Sequence, residues 1–293
     1  LVASITKQAG TVHDAALVGT EVERALHLAR SPPRGPVFLD VPMDVLFSWA
    51  DVAPAPRTPT VAAPPDPQDI EQIVALLTTA ERPVLVLGSD VWTGGAEQAA
   101  VRLVTTIGIP VIANGMGRGI LPASHPLLVT RARGAAFNGA DLVLVVGTPL
   151  DFRLGYGVFG GQDGAAAARV VHIVDAPSQV ATHVGLAGQA AGDLSLVLDA
   201  ITDGVEVSLR AQDWTSWSTG LRAAATASAA KDAALFASDA DPIHPGRIYG
   251  ELIPRLADDG IVIGDGRTLS GGTRASAKSR RTYMRPACGP KYL

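Results

Sequence analysis

Short runs of consecutive apolar residues alternate with segments of helical periodicity through the middle of the chain. The runs predict four strands, at Val84–Gly88, Pro110–Ala113, Leu142–Gly147 and Val170–Asp175. The intervening periodicity predicts helices at Asp69–Ala80, Ala96–Ile107, near Ser178–His183 and at Leu194–Ile201. Strands that are apolar at every position are typical of a parallel sheet covered by helices on both faces. The sequence therefore predicts an α/β fold, with a doubly wound domain over residues 68–204.

The flanking segments are too short to form domains of their own. Residues 1–46 show one helix, Glu21–Arg30, and one strand, Gly35–Pro42, and a single helix–strand pair cannot bury both of its faces. Residues 47–67 form a linker, with six prolines between Pro54 and Pro67.

Two further segments follow the central domain. Residues 205–240 predict an Ala-rich helical connection, in which we interpret Trp214 and Trp217 as packing anchors. Residues 241–266 predict a helix over 244–257, interrupted by Pro254, and then a strand that begins at Ile261.

Composition excludes several classes of protein. The net charge of −4 gives no reason to expect nucleic-acid binding, and one cysteine, Cys288, excludes a disulfide framework. No apolar run approaches the ~20 residues of a membrane span, and no signal peptide is evident. We therefore expect a cytoplasmic protein.

Glycine and polar residues follow the predicted strands, at Gly88–Ser89, Asn114–Gly115, Gly147–Thr148 and Asp175. The carboxyl edge of an open parallel sheet is where such folds bind ligands, so these residues are candidates for a nucleotide site. They are equally typical of the turns in any doubly wound domain, and both readings stay open. The stretch Gly115–Gly119 lacks full GxGxxG spacing, and we expect a flexible loop over the site.

No self-sufficient catalytic group or metal site is evident. The six histidines show no metal-ligand spacing, and we expect a structural role for each (His13, His27, His125, His172, His183 and His244). No serine stands in a GxSxG turn.

Several segments together resemble thiamine-diphosphate enzymes. Gly35–Asp44 is similar to the GPVxLDxPxD signature that closes the pyrimidine-binding domain of that family, and Thr6–Ala9 to the segment before its last helix. Gly147–Arg153 and Gly192–Leu194 resemble its central domain, and His244–Pro245 with Ile261–Gly266 the opening of its diphosphate-binding domain. Residues 1–46 would then end an incomplete first domain, and residues 241–266 would begin an incomplete third.

Within that family the chain most resembles the acetolactate synthase large-subunit group. Oxalyl-CoA decarboxylases and 2-hydroxyacyl-CoA lyases share the pattern of Gly117–Pro122 and His125–Pro126. The resemblance implies decarboxylation of a 2-oxo acid and carboligation, a transferase activity of branched-chain amino acid biosynthesis, with a lyase as the alternative. It also implies thiamine diphosphate and Mg²⁺ as cofactors, and a homodimer or homotetramer.

The resemblance implies an adenine nucleotide in the central domain, FAD in one branch and ADP in the other. By position its contacts would be Gly88, Ser89, Arg153, Asp175 and Asp193, and Asp265 and Gly266 would touch thiamine diphosphate. The family's activating glutamate and its magnesium motif have no counterpart in this sequence. We therefore expect the chain alone to be inactive, leaving a non-catalytic nucleotide-binding remnant as a further hypothesis.

The last 27 residues, 267–293, carry seven basic residues and no acidic one, unlike the rest of the chain. Codons that encode residues 267–275 can, when read in a shifted frame, encode Asp-Phe-Val-Arg-Arg-Tyr-Ala-Gly. That sequence is similar to the segment that follows Gly-Asp-Gly in the family. We interpret this aberrant tail as the product of a frameshift near codon 266 rather than as a nucleic-acid-binding arm.

Overall fold

A computed structural model of the chain describes residues 2–52, 54–161, 166–208, 213–256, 261–264 and 281–284. The chain divides into two units, Leu1–Ala63 and Pro64–Leu293. The helices are α1 Val18–Arg30, α2 Met43–Leu46, α3 Pro67–Thr78, α4 Ser89–Thr93, α5 Glu97–Ile107, α6 Arg133–Gly139, α7 Leu194–Ser208, α8 Thr215–Phe236 and α9 Pro245–Leu252. The strands are β1 Gln8–Thr11, β2 Val37–Asp40, β3 Pro83–Leu87, β4 Val111–Ala113, β5 Leu142–Val146, β6 Arg169–Val174, β7 Gly188–Ala191, β8 Ile261–Gly264 and β9 Arg281–Met284.

The first unit is a β–α–β arrangement. Strands β1 and β2 pair in parallel, with Gln8 opposite Val37, and α1 connects them. The ammonium group of Lys7 donates hydrogen bonds to the carbonyls of Leu28 and Ser31 at 2.6 and 2.8 Å. A cation there stabilises the carbonyl end of α1. Sequence reasoning missed β1, because Gln8–Thr11 is too short and too polar to stand out as a strand.

The second unit contains a five-stranded parallel sheet in the order β4-β3-β5-β6-β7. Its first strand, β3, lies between β4 and β5, so the chain moves to one side and then to the other. Loops diverge at such a switch point and leave a crevice at the carboxyl edge of the sheet. The doubly wound parallel fold expected from the sequence is confirmed.

Side chains alternate between two cores, one on each face of the sheet. Leu85 and Leu87 pack with α3, α5 and α7, whereas Val84 and Val86 pack with α6 and the Leu221 side of α8. Every residue of β3 and β5 is buried. Burial on both faces explains why these strands are apolar at every position.

Prolines and local hydrogen bonds explain where the helices deviate from the sequence expectation. Asp66 caps α3 by accepting a hydrogen bond from Gln68 N, with Pro67 in the first turn, so the helix begins two residues earlier than expected. α9 ends at Leu252 and becomes a 3₁₀ turn over Ile253–Arg255. Pro254 supplies no N–H to continue α9.

One expected helix is wrong. Residues 178–183 form only the 3₁₀ turn Pro177–Gln179, after which Val180 is extended and Ala181 N donates to a ring nitrogen of His172. The short helices α2, α4 and α6 and the strand β7 were also missed. β7 reads Gly-Gln-Ala-Ala and lacks the β-branched residues that mark a strand.

β8 and β9 pair in parallel, with Ile261 opposite Arg281. Part of the basic tail, 281–284, is therefore a strand, which the tail's composition did not predict. The rest of 267–293 lies outside the described residues. Over the described part of the chain, no helix is long and apolar enough to cross a membrane.

Candidate nucleotide site at the carboxyl edge

Two glycine turns meet where β3 and β5 end. A Cβ atom on Gly88 would lie 2.3 Å from the carbonyl oxygen of Gly147, and Gly147 has a φ of 64°. Gly88 N donates to Val146 O at 2.8 Å, and Gly147 N donates to Ile173 O at 2.9 Å. The contact leaves no room for a side chain at Gly88, and both amides are used within the sheet edge. Gly88 is thus required by loop packing, whatever the edge binds.

The stretch Gly115–Gly119 packs tightly against the same edge. A Cβ on Gly117 would lie 2.1 Å from Leu87 O, and one on Gly115 2.4 Å from the Ser89 hydroxyl. That hydroxyl accepts a hydrogen bond from Met116 N at 3.1 Å. The expectation of a flexible loop is wrong for the first turn, because Gly115–Gly117 is a 3₁₀ turn seated on the end of β3.

Buried polar side chains connect the carboxyl ends of β4, β5 and β6. Asn114, Thr148 and His172 are almost or fully buried. Asn114 Nδ2 donates to Thr148 Oγ1 at 3.1 Å, and His172 Nε2 lies 3.0 Å from Thr148 O. Buried polar groups must be paired in this way, so the three side chains set how β4, β5 and β6 end relative to one another.

The two candidate aspartates differ in their surroundings. Asp175, directly after β6, is 4% exposed. Asp193 is half-buried and caps α7, because its Oδ1 accepts hydrogen bonds from Ser195 N and Leu196 N at 3.0 and 3.2 Å. The capping role accounts for Asp193 as a structural residue and leaves its second oxygen available to a ligand.

Arg153 lies in the irregular segment after β5. Its guanidinium bonds Asp151 at 2.5 Å and lies 5.6 Å from the ring centre of the exposed Phe152. Burial raises the pKa of the Asp151 carboxyl, but hydrogen bonds from Arg153 and the charges of Arg153 and Arg133 outweigh it, so the pKa is lowered. Asp151 therefore remains a carboxylate and holds Arg153 at the rim.

The carboxyl edge thus combines polar residues at the strand ends with a buried carboxylate, Asp175, and an arginine at its rim, Arg153. The remaining candidates, Asp265 and Gly266, lie outside the described residues. Among the residues described, no three His, Cys, Asp or Glu side chains come together to hold a metal ion. Sequence reasoning missed His172 as a residue of this edge. Its signal was a lone polar residue inside an apolar strand, which on its own did not distinguish it from the other histidines.

The fold defines a doubly wound parallel α/β domain. Residues 70–201 match the family model of the thiamine pyrophosphate enzyme central domain. The chain thus contains the central domain of thiamine-pyrophosphate-dependent enzymes, and it is homologous to acetolactate synthase large subunits.

The comparison with acetolactate synthases extends over most of the chain. The large subunit from Mycobacterium tuberculosis is 39% identical over 269 residues, covering 90% of this chain and 47% of that protein. Oxalyl-CoA decarboxylase from Escherichia coli K12 is 29% identical over 184 residues, covering 61% of this chain and 32% of that protein. 2-Hydroxyacyl-CoA lyases match as well. The chain spans about half the length of the acetolactate synthase that it matches.

The fold also recurs in benzoylformate decarboxylase from Polynucleobacter necessarius. That structure superimposes with a TM-score of 0.67 at 19% identity, covering 95% of this chain and 51% of that one. The likeness shows the fold alone. The family implies thiamine diphosphate with a metal ion, but the described residues do not fit such a site, because they provide no acidic or histidine cluster for the metal.

Proposed function

We propose that the protein functions as an acetolactate-synthase-like enzyme, which decarboxylates a 2-oxo acid and joins the remaining fragment to a second carbonyl compound. The observation that carries this proposal is the 39% identity over 269 residues to an acetolactate synthase large subunit. Bound thiamine diphosphate would supply the electron sink for the carbanion that decarboxylation leaves. No step of the reaction is assigned to the described residues, since they lack the metal–diphosphate site.

The 293-residue chain by itself should be inactive. It spans about half of the length of that relative, and its described residues contain no metal-binding cluster. The purified chain, supplied with pyruvate, thiamine diphosphate and Mg²⁺, should therefore form no acetolactate. Acetolactate formation above a heat-denatured control would overturn this part of the proposal.

The central domain should bind the adenine-nucleotide part of FAD or ADP at its carboxyl edge. Asp175 would accept hydrogen bonds from ribose hydroxyls, and Arg153 would pair with a phosphate at the rim. Gly88 and Ser89 would shape the turn beneath the diphosphate, and the second carboxylate oxygen of Asp193 would face the ligand. A ligand that joins a diphosphate to a ribose fits these residues. Its phosphate would pair with the guanidinium of Arg153, and its ribose hydroxyls would donate to the carboxylate oxygens.

Thermal unfolding with FAD and with ADP tests this site. Ligand at about a hundredfold over its Kd adds about 2.7 kcal/mol of stability, or about 5–10 °C in Tm for a domain of this size. Asp175→Asn should abolish the shift. Asp141→Asn is the matched control, because Asp141 accepts hydrogen bonds from Glu81 N and Arg82 N at the opposite edge of the sheet. Equal shifts in both variants would contradict the assignment.

An oxalyl-CoA decarboxylase or 2-hydroxyacyl-CoA lyase is the second candidate, favoured by the 29% identity to oxalyl-CoA decarboxylase. We expect FAD to give the larger shift if the acetolactate synthase reading is correct, and ADP if the CoA-linked reading is. Stabilisation by either nucleotide, without activity in a longer form of the protein, would favour a non-catalytic nucleotide-binding role. A homo-oligomer and a cytoplasmic location remain parts of the proposal.

A further inference from the structure

His172 is a fully buried imidazole within the otherwise apolar part of β6. Ala181 N donates to its Nδ1 at 3.1 Å, so Nδ1 carries no proton and the ring is neutral. The proton of the neutral ring is then on Nε2, which donates to Thr148 O at 3.0 Å. Each ring nitrogen thus has one partner, and the two partners belong to different loops.

These two bonds extend a chain of contacts along the carboxyl edge. Thr148 accepts from Asn114 Nδ2, and Asn114 N donates to Leu87 O at 2.8 Å. The ends of β3, β4, β5 and β6 are therefore linked in sequence, with Ala181 as the last member. His172 is the one link in this chain whose hydrogen-bonding pattern changes on protonation.

The segment that Ala181 anchors, residues 176–187, connects Asp175 to β7. Its far end is held by Ala187 N, which donates to Val170 O at 2.8 Å. Between these anchors Val184 packs beside Gly157, where an added Cβ would lie 3.1 Å from Val184 Cγ1. Gly157 belongs to the irregular segment that also carries Arg153. The segment 176–187 thus directly follows Asp175 and contacts the segment that carries Arg153.

Protonation of His172 would place an Nδ1–H against the N–H of Ala181. Two donors would then face each other at a ring that has no exposed surface, and the bond to Ala181 would be lost. Burial lowers the pKa of His172, the bond to the Thr148 carbonyl opposes that effect, and the charge of His183 lowers the pKa further. His183, from segment 176–187, is the titratable group whose charge acts on the ring. The flanking strand residues in register with it, Val145 and Gln189, carry no charge.

We propose that His172 is a positioning residue that clamps segment 176–187 onto the nucleotide edge while its ring is neutral, and that its protonation releases the segment and weakens nucleotide binding. The effect on binding rests on the proposed function, whereas the release of the segment does not.

Amide hydrogen exchange of the full chain tests the clamp without any ligand. Rates for 176–187, corrected for intrinsic exchange, are compared between pH 8 and pH 5. Because release is coupled to the uptake of one proton, protection should fall by up to about tenfold for each pH unit between about 6.5, the ordinary pKa of an exposed histidine, and the lowered pKa of the clamped His172 ring. Amides of the buried strand β5 should keep their protection over the same range.

His172→Gln is the decisive variant. A glutamine amide can accept from Ala181 N and donate to Thr148 O, but it does not titrate, so protection should persist at pH 5. His172→Leu removes both bonds and should leave the segment exposed at every pH. His183→Gln removes a charge that lowers the pKa of the clamped His172 ring, so the loss of protection on acidification should become smaller. His125→Gln is the matched control: burial also lowers the pKa of His125, but its ring accepts from Leu127 N away from the clamp.

Nucleotide binding supplies the second readout. The Kd for the nucleotide that shifts Tm should rise on acidification in the wild type and in His125→Gln, and should stay level in His172→Gln. Persistent protection of 176–187 at pH 5 in the wild type, or equal loss in His172→Gln, would overturn the clamp. If no nucleotide binds at any pH while exchange follows the predicted pattern, the proposed function fails and the clamp stands.

Discussion

The indole nitrogen of Trp217 donates a hydrogen bond of 3.0 Å to the carbonyl oxygen of Pro83, the first residue of β3. Trp214, one turn earlier, donates in the same way to Ala80 O at 2.9 Å. The two tryptophans thus tie the start of α8 to the entry of the first strand of the sheet, although 134 residues separate each pair. The interpretation of both residues as packing anchors is confirmed by these contacts.

Trp217→Phe should lower the free energy of unfolding by about 1–3 kcal/mol, because Pro83 O loses its indole donor. Trp217→Ala should cost about 3–5 kcal/mol, since the side chain also fills space beside Gly139. Urea denaturation followed by circular dichroism gives both values. Trp49→Phe is the control, because the Trp49 side chain is 99% exposed and the change should stay within about 0.5 kcal/mol.

Gly88→Ala should destabilise the central domain by about 3 kcal/mol or more. The new methyl group would meet Gly147 O at 2.3 Å, and relief requires the turns after β3 and β5 to separate. Gly134→Ala provides a control of opposite sign, because nothing lies within 4 Å of that position in α6. Alanine there should be neutral or stabilising by up to about 1 kcal/mol. Equal Tm values for the two variants would contradict the close approach of the turns.

The unfolding free energy should fall as the pH drops below about 6.5, the ordinary pKa of a histidine in the unfolded chain. His172 has a lowered pKa in the folded protein, so between the two values the unfolded state binds more protons. The stability that the neutral His172 ring contributes is therefore fully present above the pKa of His172 in the unfolded chain. It is lost as the pH falls towards the pKa of His172 in the folded protein, at up to about 1.4 kcal/mol per pH unit. His125 acts in the same direction.

Denaturation curves from pH 8 to pH 5 measure this slope. His172→Gln should flatten it without removing the part that His125 contributes. A slope unchanged by the substitution would show that His172 does not titrate on unfolding.

The ion pair between Arg131 and Asp232 should contribute more than a surface pair. It joins the 3₁₀ turn Thr130–Ala132, directly before α6, to α8. Its side chains are 25% and 33% exposed, and the same guanidinium donates to Ser228 O at 3.2 Å. A double-mutant cycle should give a coupling energy of about 1 kcal/mol or more. The comparison pair, Arg102 and Asp203, is 41% and 65% exposed and should give less than about 1 kcal/mol.

The coupling energies of the two ion pairs should also respond differently to salt. Raising the ionic strength to about 1 M shortens the screening length to about 3 Å and should remove most of the Arg102–Asp203 coupling. The Arg131–Asp232 coupling should persist because its groups are partly shielded from solvent. Equal coupling energies for the two pairs at low and high salt would contradict the role assigned to Arg131.

The central strands and most of their helices were predictable because burial requires a recognisable pattern of apolar residues in the sequence. A strand such as Leu142–Val146 is apolar at every position, and α3, α5 and α7 carry helical periodicity. The family was predictable from local motifs, of which Gly35–Asp44 and Gly147–Arg153 are examples. Elements without such marks were missed: β7 is built from glycine, glutamine and alanine, and α4 and α6 are short.

The sequence by itself determined the parallel α/β class, the family and which polar residues follow the strands. The tertiary structure alone decided what those residues contact. Gly88 is confined by Gly147, which follows a strand 59 residues later in the chain, and His172 holds both Thr148 and Ala181. Such roles depend on which strand ends lie side by side. Strand order is a property of the folded sheet, and no local pattern of residues records it.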